Sequence, residues 1–97
     1  MLHLIYQSPL ESSVIQRIES GDDVVFFENA VFRVNKKSLQ STELEQMLAN
    51  NVYLYVLHDE LVIRGVNTDE LVLGIAVIDY SGLVALTEKN KIIRTWN

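Results

Sequence analysis

The sequence predicts an α/β protein: three layers, with helices on both sides of a mostly parallel five-stranded sheet. Two observations carry this. Short runs of β-branched and aromatic residues alternate with segments of helical periodicity along the whole chain. Several runs are apolar at consecutive positions, the habit of strands covered on both faces in parallel sheets. The 97 residues are expected to form a single domain, 1–97, without linker or internal repeat.

The first strand is expected over residues 2–6. Pro9 interrupts it by removing an amide donor, and Ser8-Pro9 has the form of an N-cap followed by the first helical residue. Leu10, Val14, Ile15 and Ile18 follow at helical spacing, and Gly21 is placed to end that helix. Val24-Val25-Phe26-Phe27 is the second strand. Residues 28–32 read either as a short helix or as a hairpin continuation, and 35–38 as a polar loop. Thr42 and Glu45 have capping-box spacing at the head of a helix whose apolar face is Leu44, Met47 and Leu48. Asn50-Asn51 stops it.

Residues 52–57 are the clearest strand. A short helix over 59–64 closes at Gly65, and 67–70 form a polar turn. A fourth strand is expected over 73–78, apolar on both faces, then a turn at 79–82 and a helix over 83–89. Residues 92–96 supply the last strand.

Composition excludes several functions. The chain is 48% hydrophobic and 22% charged, too apolar for a disordered protein. No run approaches the roughly 18 apolar residues of a membrane span. The start, Met1-Leu2-His3-Leu4-Ile5-Tyr6, lacks the basic region and cleavage site of a signal peptide, so a cytoplasmic location is expected. There is no cysteine, hence no disulfide, thiolate metal site or thiol nucleophile in this chain. Thirteen acidic against eight basic side chains give a net charge of -5, the wrong sign for an autonomous nucleic-acid binder.

Chemistry is sparse. The glycines at 21, 65, 74 and 82 are too far apart for a dinucleotide fingerprint or a phosphate loop, and no cofactor or metal is expected. In open α/β sheets ligands sit beyond the carboxyl ends of the strands. Those ends should carry Gln7-Ser8, Glu28-Asn29, His58-Asp59-Glu60 and Asp79-Tyr80. His58, Asp59 and Asp79 form a candidate acid/base cluster. The competing reading makes Asp59 and Asp79 helix caps and His58 a surface residue, and the general preference for Asp at caps favours it. His3, inside strand one, has no clustered donors with which to hold a metal. Arg33, Lys36 and Lys37 form a basic loop, either solvated or in contact with an RNA phosphate or acidic partner; the acidic balance favours solvation. Phe26, Phe27, Tyr53 and Tyr55 read as sheet core or interface, since no basic residues alternate with them as single-strand binding requires. Phe26, Phe27, Phe32 and Trp96 together exceed what so small a domain readily buries, which predicts an exposed apolar patch. Short helices and strand ends are expected to supply it, because both sheet faces are needed for the core.

An ordered set of motifs adds a resemblance. Met1-Leu2-His3, Ser8-Pro9, Gly21-Asp22 and Glu28-Asn29-Ala30-Val31 lead to Val56-Leu57-x-Asp59-x-Leu61-x-x-Arg64-Gly65. Ile78-Asp79-Tyr80-x-Gly82-Leu83-Val84-x-Leu86-Thr87 and Trp96 complete it. In this order and spacing the chain resembles the DsrH/TusB family of small sulfur-relay proteins over essentially its whole length. The resemblance implies a DsrE-like fold and a B-type subunit beside C- and D-type relatives, in a heterotrimer that doubles into a hexamer. In the tRNA branch such a complex takes persulfide sulfur from a cysteine desulfurase through a small carrier, toward 2-thiolation of the wobble uridine. In the sulfur-oxidising branch it works with dissimilatory sulfite reductase, and its H-type subunit carries a cysteine in the first helix. This chain has none there, and near Val14 it is about a turn shorter, which favours the tRNA branch and a structural, non-enzymatic role. The alternatives are a sulfur-oxidation subunit, a homo-oligomer with an unknown ligand, or an independent enzyme built on His58, Asp59 and Asp79.

Overall fold

A computed structural model describes all 97 residues, Met1–Asn97. Five strands, β1 (Leu2–Ile5), β2 (Asp23–Phe26), β3 (Tyr53–Leu57), β4 (Ala76–Ile78) and β5 (Ile93–Trp96), form one sheet in the order β4-β3-β2-β1-β5. Every pairing is parallel, as the doubly apolar runs predict. Four α-helices connect them: α1 (Ser12–Ile15), α2 (Ser41–Ala49), α3 (His58–Ile63) and α4 (Tyr80–Lys89).

Side chains alternate across the sheet, so each strand serves two layers. Ile5, Val24, Phe26, Leu54 and Val56 face one side, where Val14, Leu44, Met47 and Leu61 from α1, α2 and α3 cover them in a cluster of 16 buried residues. Leu2, Val25, Phe27 and Leu57 face the other side, where Leu86 of α4 is the only helical residue among the 5 in the cluster. Three layers result, with the second outer layer only one helix wide.

Several local expectations give way to the structure. The first helix does not begin at Ser8-Pro9; it spans only Ser12–Ile15, with Glu11 at its N-cap. Two serines followed by β-branched Val14 and Ile15 are weak helix formers. Gly21 does take the left-handed φ of +89°, but in the turn beyond that helix, where its N–H donates to the Asn51 carbonyl at 2.9 Å. Residues 28–34 form a 3-10 helix, which resolves the open choice there in favour of helix. The capping box expected at Thr42 and Glu45 is absent, because α2 starts at Ser41 and Thr42 already lies inside it. Gln40 holds the N-cap position, but its buried amide is used elsewhere. It accepts from the Leu10 N–H at 2.8 Å and donates to the Leu10 carbonyl at 2.9 Å. A capping box does form at Asn67 and Glu70, which have the same spacing.

The strand expected over 73–78 begins only at Ala76. Gly74 turns the chain at φ +106°, and Leu73 projects into solvent, 96% exposed. At β4 and β5, the two edges of the sheet, apolar sequence does not mean burial: Val77 and Ile93 are both exposed. Of the four aromatic residues expected in excess, Phe26 and Phe27 are buried, Trp96 is half-buried and Phe32 is 41% exposed. The sheet itself contributes exposed apolar surface on the α4 side, contrary to the expectation that both faces are consumed by the core. Tyr53, on that face of β3, is 51% exposed.

Candidate functional site

At the carboxyl end of β3 the chain enters α3 without a linking residue. Leu57 is therefore the N-cap, and Asp59 sits inside the first turn with no capping hydrogen bond. His58 Nδ1 and Asp59 Oδ1 approach to 3.7 Å, and both side chains are 61% exposed. At the carboxyl end of β4, Asp79 does cap: its Oδ1 accepts the Gly82 N–H at 2.9 Å. The capping reading thus holds for Asp79 and fails for Asp59. No hydrogen bond or ion pair joins Asp79 to His58 or Asp59. A cavity of about 380 Å³ beside α3 includes His58 but neither aspartate. The structure thus brings His58 beside Asp59 and leaves Asp79 apart from both, engaged as a helix cap.

The group that does assemble at this edge is different. Glu60 Oε2 accepts the Glu28 N–H at 3.0 Å and the Arg64 Nη1 at 2.6 Å. Glu28 is held at φ +52°, a left-handed conformation uncommon for a residue with a Cβ, where the chain leaves β2. Tyr6 stacks on Phe27 at 4.9 Å between ring centroids. Burial pushes its phenol above the usual tyrosine value, and the Glu28 and Glu60 charges push the same way. The phenol therefore stays a neutral hydrogen-bond donor at physiological pH. Glu60 and Arg64 are spaced i,i+4 on a helix, a pairing signal present in the sequence. The contact with Glu28 crosses between elements and has no local signature.

The amino-terminal edge holds the buried charge. His3 is fully buried in β1. Trp96 Nε1 donates to His3 Nδ1 at 3.1 Å, and His3 Nε2 stands 2.8 Å from Asp22 Oδ2. An indole can only donate, so His3 Nδ1 accepts and the ring proton resides on Nε2, directed at Asp22. Burial pushes the Asp22 carboxyl up. The Glu19 amide, the His3 ring and the Met1 ammonium together outweigh that and hold it below the ordinary aspartate range. Asp23, also fully buried, points to the opposite layer, where Tyr55 Oη donates to it at 3.2 Å, Lys89 Nζ at 3.2 Å and Asn90 Nδ2 at 3.0 Å. Burial raises the Tyr55 phenol, as do the charge and hydrogen bond of Asp23. These two aspartates tie the helical layers to the sheet.

The basic loop is partly tied down. Lys36 Nζ donates to the Asp69 carbonyl at 3.1 Å, while Arg33 and Lys37 make no ion pair. No helix is long and apolar enough to cross a membrane.

Comparison with known proteins agrees with this architecture. Residues 7–92 match the family model described as DsrH, "DsrH like protein". A protein named TusB from Pectobacterium parmentieri is 28% identical over 100 residues, covering 99% of this chain and 100% of its own. A second protein of that name, from Serratia proteamaculans (strain 568), is 30% identical over 99 residues, with the same coverage of both chains. Among solved structures, the protein of unknown function MTH1491 from Methanobacterium thermoautotrophicum superposes with a TM-score of 0.80 at 15% identity, covering 98% of this chain and 96% of that one. The ychN protein from E. coli gives 0.78 at 17% identity, covering 98% and 97%. At such identities these two structures speak for the fold alone, which is the DsrE-like one expected.

Proposed function

The chain belongs to the DsrH/TusB family, and from that premise we propose that it is a non-catalytic subunit of a sulfur-relay complex serving 2-thiolation of the tRNA wobble uridine. The absence of any cysteine carries the non-catalytic part. Persulfide sulfur moves by attack of a thiolate on sulfane sulfur, so every covalent stop on the relay lies on another chain. This subunit covers and shapes the partners that hold those cysteines, C- and D-type proteins of the same fold, in a cytoplasmic hetero-oligomer. The cysteine-free α1 favours the tRNA branch over sulfur oxidation. The narrow α4 layer supports the subunit reading, for Tyr53, Tyr80, Val84 and Ile93 leave apolar surface on or beside a sheet face that core formation alone would cover.

Two measurements test this. Co-expression with C- and D-type proteins should give one complex by native mass spectrometry, with this chain gaining thermal stability inside it. A monomer indifferent to those proteins defeats the reading. Labelled sulfane sulfur supplied by a desulfurase and carrier should leave no covalent, reductant-sensitive label on this chain. Within the complex, Ile93→Asp and Phe32→Asp sort the docking layer: loss of assembly with an intact fold for Ile93→Asp places the contact on the α4 side, and for Phe32→Asp on the opposite one.

A further inference from the structure

Two of the four arginines, Arg17 and Arg94, form an arrangement that the subunit role does not use. Arg94 and Trp96 occupy alternate positions of edge strand β5, in register with His3 and Ile5 of β1, so they share the α1 side of the sheet. Arg17 follows α1 onto the same spot. Each guanidinium carbon lies 5.8 Å from the Trp96 ring centroid. The indole is fixed by its bond to His3, itself bound to Asp22. A pinned aromatic plate thus positions both guanidinium groups by cation–π contact. Neither enters an ion pair or a side-chain hydrogen bond. Both line a cavity of about 370 Å³ with Met1, His3, Gln16 and Glu19. The Met1 ammonium is already paired with Asp22 at 3.1 Å. The free donors in the cavity are the two planar forks and the Gln16 amide, opposed by the single carboxylate of Glu19.

We propose that this cavity binds a phosphate group, held by the Arg17 and Arg94 forks. A guanidinium offers parallel N–H donors that match two phosphate oxygens, and two of them at one cavity suit a group with three or four acceptor oxygens. The phosphate belongs either to a small molecule or to an RNA strand; the chemistry at the cavity is the same. This assignment is independent of the sulfur-relay reading and stands or falls separately.

Trp96 is the only tryptophan, so the site carries its own reporter. Inorganic phosphate is titrated into the full chain at constant ionic strength, following indole fluorescence and the indole N–H resonance, with chloride as control. A single-stranded oligoribonucleotide is titrated in parallel. A saturable response to phosphate, absent with chloride and weakened about tenfold by Arg17→Gln or Arg94→Gln, is expected, since one charge-assisted contact is lost in each. Both arginines are exposed, so these variants should keep the wild-type melting temperature. Saturation by the oligonucleotide at a concentration at least tenfold below that of phosphate identifies the strand as the source; equal or weaker response identifies a small molecule. No saturable response to either titrant, or an undiminished response in the double variant, overturns the proposal.

Discussion

On the α1 side of the sheet, three helices and a 3-10 segment enclose 16 buried apolar residues. On the α4 side, strands equally rich in Val, Leu and Phe contribute to a cluster of 5, under one helix. The same strands build both faces, so strand composition does not explain the difference. Connectivity does: the segments after β1, β2 and β3 all cross on one side, and only the segment between β4 and β5 crosses on the other. The thinly covered face compensates with a polar tie, in which Asp23 gathers Tyr55, Lys89 and Asn90 and holds the end of α4 to the sheet. The comparison teaches that a strand apolar on both faces signals demand for cover, not that the same chain supplies it.

The largest expected effect breaks the thick side. Phe26→Ala removes a fully buried ring from the 16-residue cluster and should cost about 4 kcal/mol in denaturant unfolding. Leu86→Ala removes the one buried side chain of α4; in a cluster of only 5 buried residues, the cost should fall near the bottom of the range for such changes, about 2 kcal/mol. Equal costs for the two would break the asymmetry. Acid sharpens it from another side. The folded Asp22 carboxyl titrates below its ordinary 3.8, so its contribution is fully present above that value and is lost as pH falls through the lower, folded one. Wild-type unfolding midpoints should therefore drop below pH ~4, and Asp22→Asn should flatten that part of the profile. At the carboxyl edge the effects are small: Asp79→Ala should cost about 1 kcal/mol and Asp79→Asn far less. Asp59→Ala should stay within about 0.5 kcal/mol, because that carboxylate caps nothing. If Asp59→Asn or Asp79→Asn abolished sulfur relay in a stable complex, the acid/base reading would return.

What could be read from the sequence follows the range of the interaction. Strand β1 is a short apolar run, β2 and β3 are β-branched and aromatic runs, and each is visible within a residue or two. Asp79 before Tyr80-Ser81-Gly82 is a local cap, equally visible. The failures are contests between local signals and distant partners. Ser8-Pro9 looks like a helix start, yet the helix waits for Ser12, while the backbone at Leu10 is held by Gln40, thirty positions away. Leu73 looks like strand, but Gly74 turns left-handed over Leu48, whose Cδ1 would lie 3.2 Å from a Cβ there. His3 looks like an ordinary strand residue, and nothing near it in sequence announces Asp22 or Trp96. The approach of Arg17 to Trp96 is equally long-range, whereas Arg94 lies two positions from that indole on β5.

The pairing of β1 with β5 also has a consequence in time. His3 and Trp96 are separated by 93 positions. On a ribosome adding roughly 5–20 residues per second, β1 exists for on the order of ten seconds before β5 can reach it. Throughout that interval the edge of β1 that β5 will occupy has no strand to pair with. A bare edge strand is a template for other chains. Closure of β5 onto β1 removes that template, at the place where the finished protein is latched by an indole.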